Sequence, residues 1–327
     1  VVFLFRDKAV TNIFFLLVLI LVVHLHFFIS PAQVALTFNE GFIDVFLQKY
    51  LDNLPSAVVF ILYVVIVLAQ ALRLNAALNN LKMFQQQHYT VAMSYILFSA
   101  FFTQWTTLSS GLIANFLIIW IFLQLASLNN HASPKNLLFN TGLIAGVTIL
   151  AYHPTTSLIA VTFFALAVVR PFRVAEWVVL LMGLILPFYF LSAYLFLTDQ
   201  LQYFSNFLPN LQLHIPIENV NNITWIGIAV LLITIVSGVY HNQENSGRML
   251  LHIRKSWGVM LLLLLLMLPI PFVFKNATLE SAILCLVPLS AFAANFYSYP
   301  KRLLFPNLLF WLSAAFIAYN NWLLVKK

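Results

Sequence analysis

Charge is the scarcest property of this 327-residue chain. Its 9 acidic and 16 basic residues together amount to 8% of the sequence, against roughly a quarter in soluble domains. That excludes an ordinary water-soluble globule. One cysteine, Cys285, excludes an internal disulfide; it stands in an apolar run and reads as packing. Nine glycines are spread thinly, and none builds a phosphate-cradling loop. No Cys/His metal spacing, serine-nucleophile elbow or internal repeat is visible. What is abundant is apolar: 62% of residues are hydrophobic and the mean hydropathy is +0.96.

A net charge of +7 and a pI near 9.5 would suggest nucleic acid in a soluble protein. In a chain dissolved in lipid the same excess is the loop bias of a polytopic protein, so a nucleic-acid partner is not expected. The apolar runs predict an all-α integral membrane bundle, a single domain over 1–327 with about eleven spans. These lie near 12–30, 54–72, 91–106, 111–128, 137–152, 157–169, 177–198, 223–240, 257–274, 281–298 and 305–325. The first run is too long for a signal peptide and lacks a small-residue cleavage site.

The charges sort by side. With the amino terminus in the cytoplasm, the inner loops hold twelve of the 16 basic residues: Arg6, Lys8, Arg73, Lys82, Lys135, Arg170, Arg173, Arg248, Arg254, Lys255, Lys301 and Arg302. Lys and Arg alone set this orientation. The outer side holds six of the 9 acids: Glu40, Asp44, Asp52, Asp199, Glu218 and Glu280. The terminal pair Lys326-Lys327 is the one conflict. No Asp, Glu, Lys or Arg falls in the core of a span, which weighs against ion-coupled transport.

Two outer loops read as interfacial. In residues 31–53, Glu40, Asp44, Gln48 and Asp52 recur every four residues, with Phe38, Phe42, Val45, Phe46 and Tyr50 between them. The spacing predicts an amphipathic helix at the interface whose acids face water or a cavity. Residues 199–222 mix Leu201, Tyr203, Phe204, Phe207 and Leu211 with polar groups, and a cavity between the two loops would open at the outer leaflet. Inside, residues 73–90 read as a short helix along the membrane.

Among the histidines, His26, His153 and His214 fall near the outer face and are candidate substrate- or lipid-binding groups. His153 precedes Pro154, at a break that reads as a tight hairpin or one interrupted element. His24 and His26, two apart on a helix, would point to different sides. Together with Glu40 and Asp44 such histidines can bind a divalent metal, although no motif supports one; no cofactor is indicated. Gly142 and Gly146 make a small-xxx-small pair, a close-packing signal.

Two resemblances follow. Phe5-Arg6-Asp7-Lys8, with Arg170-Pro171-Phe172-Arg173 and Glu176-Trp177, resembles an uncharacterised family of polytopic inner-membrane proteins from Bacteroidota. That implies a bacterial inner membrane. The topology of residues 31–198 is similar to C-type membrane glycosyltransferases, which take sugars from polyprenyl-phosphate carriers. That resemblance implies Glu40 or Asp44 as catalytic base, and Arg or His groups holding the carrier phosphate. The chain departs from the pattern in two ways: its acids lie about ten residues beyond the first span, and no arginine lies outside. Two other readings stay open, a non-enzymatic subunit of a larger envelope or secretion complex and a lipid or small-molecule transporter without ionic coupling. Membrane lipids are the expected partners in all three.

Overall fold

The computed structural model describes residues 1–9, 11–35, 41–130, 134–209, 211–213, 222–274, 279–300 and 302–325, with backbone only at 130, 206, 222–223 and 322–325. Helix is the form that pairs every backbone N–H and C=O within its own segment, so it dominates an apolar chain. The first four helices are α1 (Thr11–Val23), α2 (Phe42–Tyr50), α3 (Ser56–Asn80) and α4 (Thr90–Ser99). Then come α5 (Ser110–Ser127), α6 (Lys135–Ala151), α7 (Ser157–Val169) and α8 (Val174–Leu197). The remainder are α9 (Asn222–Ser246), α10 (Leu251–Met267), α11 (Ile270–Val273), α12 (Leu286–Ser298) and α13 (Leu304–Val325).

Among the described residues, six segments are long and apolar enough to cross a membrane: Ser56–Asn80, Ser110–Ser127, Val174–Leu197, Thr224–Ser246, Leu251–Val273 and Ser281–Ser298. The eleven expected runs each contain a helix, but several are too short to be established as crossings. α4 is the clearest case. It has 10 residues, ends at Ser99, and gives way to a 3-10 turn over Thr103–Thr106 where the sequence suggested a span to 106. Every residue of α4 is buried, so protein rather than lipid surrounds the break, the condition under which irregular backbone is tolerated.

Burial ranks the layers. The Ser281–Ser298 segment has 89% of its residues inside the bundle, whereas Val174–Leu197 has 22%. α4, α5 and α12 therefore form the centre and α8 the rim. Buried polar side chains tie the centre together. The Tyr95 hydroxyl donates to Gln70 Oε1 at 2.7 Å, and Gln70 Nε2 donates to the Leu112 carbonyl at 2.6 Å. Asn115 Nδ2 reaches the Ile283 carbonyl at 3.0 Å. With no water to compete, each such group needs its partner.

The expected Gly142/Gly146 contact is present and gains a third glycine. A β-carbon on Gly142 would lie 2.3 Å from the Leu180 carbonyl oxygen, and one on Gly183 would lie 2.3 Å from that of Phe139. α6 and α8 touch backbone to backbone. α8 also carries Pro187, whose missing N–H leaves the Gly183 carbonyl without its helical donor.

Side chains connect the loops into two ends. At the basic end, Trp257 Nε1 donates to the Met83 carbonyl (3.2 Å), Lys255 to Val169 (2.7 Å) and Arg170 to Leu128 (2.9 Å). Arg170 is also paired with buried Glu176 at 3.1 Å. At the opposite end, Trp105 Nε1 donates to the Leu279 carbonyl at 2.8 Å, and Leu108 N donates to the Gln33 carbonyl at 3.0 Å. The sequence suggested a separate helix along the membrane in 73–90. Instead α3 continues unbroken to Asn80 and turns through Lys82, which takes a left-handed φ of 54°.

Candidate functional site

The end opposite the basic loops is organised around α2. Gly41 opens it with φ 139°, and a β-carbon there would meet the Ala151 carbonyl oxygen at 2.4 Å. Only glycine permits both the conformation and the approach. The helix is thereby pressed against the end of α6. Asp44 and Leu47, three residues apart, turn inward, while Phe42, Val45, Phe46 and Tyr50 are exposed. Within the 31–53 segment the described helix is Phe42–Tyr50; its apolar side faces outward while one acid enters the bundle. Gln48 and Asp52 stay exposed. A surface beside lipid accounts for the exposed aromatics, since they carry no cost there.

Asp44 is 5% exposed. Its carboxylate accepts a hydrogen bond from the Ser110 hydroxyl, in the first turn of α5. Ser109 caps that helix, its side chain accepting from Leu112 N at 3.2 Å. A carboxylate at a helix N-terminus is favoured by the unpaired N–H groups and the dipole. Glu280, just before the Ser281–Ser298 segment, lies close enough to feel Asp44. Burial first, and the Asp44 charge second, push its carboxyl up from 4.5 to about 7. Sequence reasoning missed both Ser110 and Glu280. Glu280 entered only the charge count, although an acid at the mouth of a span was the available signal.

The shift has a sign that stability can read. Between 4.5 and about 7, folded Glu280 holds a proton that the unfolded chain has released. Stability from this group is therefore greatest at low pH and falls as pH rises through about 7. The melting temperature in detergent is expected to decline across that window, and Glu280→Gln to flatten the decline. A wild-type profile already flat there would contradict the assignment.

The histidine candidates are dispersed. His153 is 6% exposed at the turn His153–Thr156 between α6 and α7, which is the tight hairpin; its Nε2 has no partner. His26 is also 6% exposed, and neither ring nitrogen has a partner. It lines an apolar groove of about 590 Å³ between α1 and α13, together with Val22, Trp311 and Asn321. α1 stops at Val23, so helical spacing does not separate His24 from His26; their rings are 6.1 Å apart. His24 Nδ1 contacts the Ile20 carbonyl, and its Nε2 meets the Tyr63 hydroxyl at 3.1 Å. Glu40 and His214 lie outside the described residues. Among the described residues no group of three or more His, Cys, Asp or Glu can hold a metal ion.

A second apolar cavity, about 240 Å³, runs between α9, α10 and α12. Trp225, Leu231, Leu268, Trp105 and Leu279 line it, and Leu279 is the residue before Glu280. The segments that carry α2 and the turn after α8 also meet, Phe42 stacking on Phe207 at 5.2 Å.

Comparison with family models, with curated proteins and with solved structures gives no match. The chain is a multi-pass, all-helical membrane protein. Lipid is its surrounding contact, and the apolar rim of α8 shows where: Ile185, Tyr189, Phe190 and Phe196 are all exposed.

Proposed function

We propose that this protein is a membrane-embedded transferase acting on a polyprenyl-phosphate-linked sugar, with Asp44 and Glu280 as its proton-transfer pair. The observation that carries the reading is one arrangement: buried Asp44 lies close enough to Glu280 to help push its carboxyl up to about 7, and Leu279, the neighbour of Glu280, lines an apolar cavity. Pairs of acids with separated affinities for protons suit general acid–base work near neutral pH. Asp44, held at the α5 N-terminus, accepts the proton of an acceptor hydroxyl. Glu280, protonated near neutrality, can supply one to the departing phosphate. The carrier chain occupies the apolar cavity that Leu279 helps to line.

His153, with a free Nε2, is assigned to the carrier phosphate. Its role replaces the outer arginine that C-type glycosyltransferases lead one to expect. On this reading this end lies on the outer face of a bacterial inner membrane, with the amino terminus in the cytoplasm, which the sorting of Lys and Arg supports.

The test is sugar transfer in liposomes. Purified protein is supplied with a radiolabelled polyprenyl-phosphate sugar and a cell-envelope extract as acceptor. Label is expected to leave the carrier only when the protein is present. Label that stays on the carrier across donors of differing sugar would overturn the reading.

A further inference from the structure

The basic end contains a polar cavity that the proposed reaction does not use. It has a volume of about 430 Å³, and Arg6, Asp7, Gln86, His88, Ser298 and Tyr299 are among its lining residues. Three of these side chains are held in place yet incompletely used. Arg6 Nε donates to the Tyr297 carbonyl at 2.8 Å, which fixes the guanidinium, while its Nη2 is buried without a partner. His88 is 3% exposed; its Nδ1 lies 2.8 Å from the Thr90 hydroxyl, and its Nε2 is buried without a partner. The Tyr299 hydroxyl is also buried and unpartnered. By contrast, Ser298 is satisfied, donating to the Ala294 carbonyl at 2.7 Å.

Unpartnered buried polar groups are costly unless something meets them. With the Thr90 hydroxyl donating to Nδ1, His88 presents an N–H from Nε2. Arg6 presents another, and Tyr299 an O–H. A surface of donors with one permanent positive charge is suited to an oxyanion. Burial, with Arg6 contributing, holds His88 down to about 4, so it serves as a neutral donor at physiological pH. Asp7, the one carboxylate among the described lining residues, is exposed. Lys8 is engaged nearby with Gln87 Oε1 at 2.6 Å.

We propose that Arg6, His88 and Tyr299 form a binding site for a phosphate group at the basic end of the bundle. Three donors from separate elements surround a tetrahedral oxyanion better than a planar carboxylate, and Arg is the side chain best matched to phosphate oxygens. The phosphate belongs either to a lipid headgroup or to a free phosphate ion, since the cavity is bordered both by exposed Phe3 and by polar Gln86.

The experiment uses the full chain in two settings. In detergent, inorganic phosphate is titrated and binding is read by calorimetry and by the rise in melting temperature, with chloride at matched ionic strength as control. In nanodiscs, a neutral phosphatidylcholine bilayer is compared with one containing phosphatidic acid. Saturable stabilisation by inorganic phosphate identifies a free-ion site; stabilisation by phosphatidic acid alone identifies a headgroup site. In whichever setting binding occurs, Tyr299→Phe, which removes only the hydroxyl, is expected to weaken it severalfold, and Arg6→Lys about tenfold. No stabilisation in either setting overturns the proposal. So does binding that both variants leave unchanged while they remain folded.

Discussion

Replacing Gly142 by leucine is expected to abolish a stably folded protein. Membrane helices gain little from apolar burial against one another, because lipid is equally apolar; close packing is what holds them. α6 and α8 meet through glycine. A β-carbon at Gly142 would lie 2.3 Å from the Leu180 oxygen, and one at Gly146 would lie 2.5 Å from the Leu184 oxygen. Backbone cannot swing aside as a side chain can, so the helices must separate along their length. The cost is about 3 kcal/mol or more, the upper range for overpacking. Gly183→Leu, from the opposite helix, should do the same. Gly247, with nothing within 4 Å of its would-be β-carbon, is the control: Gly247→Ala should be silent. Size-exclusion profiles and thermal unfolding in one detergent check all three. A well-folded Gly142→Leu protein with the wild-type melting temperature would contradict the observed contact.

Asp44→Asn is expected to lower sugar transfer by about 10²–10⁴-fold, the usual contribution of a positioned general base. Asparagine has nearly the same shape and still offers an oxygen to the Ser110 hydroxyl, so the melting temperature should stay close to wild type. Asp44→Ala removes that acceptor as well. It should lose activity and also about 1–3 kcal/mol of stability, because the buried Ser110 hydroxyl loses its partner. The contrast separates chemistry from architecture. If Asp44 only anchors α2 to the first turn of α5, the asparagine variant will be fully active and only the alanine variant impaired. Glu280→Gln should resemble Asp44→Asn in activity.

Legibility followed the physical scale of each signal. Long apolar runs are unambiguous, so each expected run contains a helix, and the Gly142/Gly146 spacing announced a close contact. Span number was less legible, because hydropathy does not distinguish a helix that faces lipid from one enclosed by protein. α4, fully buried and 10 residues long, carries the same apolar signature as a crossing helix. The inward turn of Asp44 was hidden for a related reason. Periodicity shows that residues share a face, but beside lipid the polar face of a helix is not bound to be the wet one. The Asp44–Glu280 meeting was illegible, since 236 residues separate the partners in the sequence (280 − 44) and local spacing does not predict their approach. His24 and His26 misled through geometry: the helical rule fails where α1 ends at Val23.

The central proposal is that Asp44 and Glu280 form a proton-transfer pair. Its most direct test is the infrared titration of the Glu280 carboxyl, isolated as the difference between wild type and Glu280→Gln. The account predicts a protonated carboxyl band that disappears as pH rises through about 7, and whose midpoint moves down in Asp44→Asn, where the neighbouring charge is gone. A Glu280 band that titrates near 4.5, the ordinary carboxylate value, and ignores Asp44→Asn would contradict it.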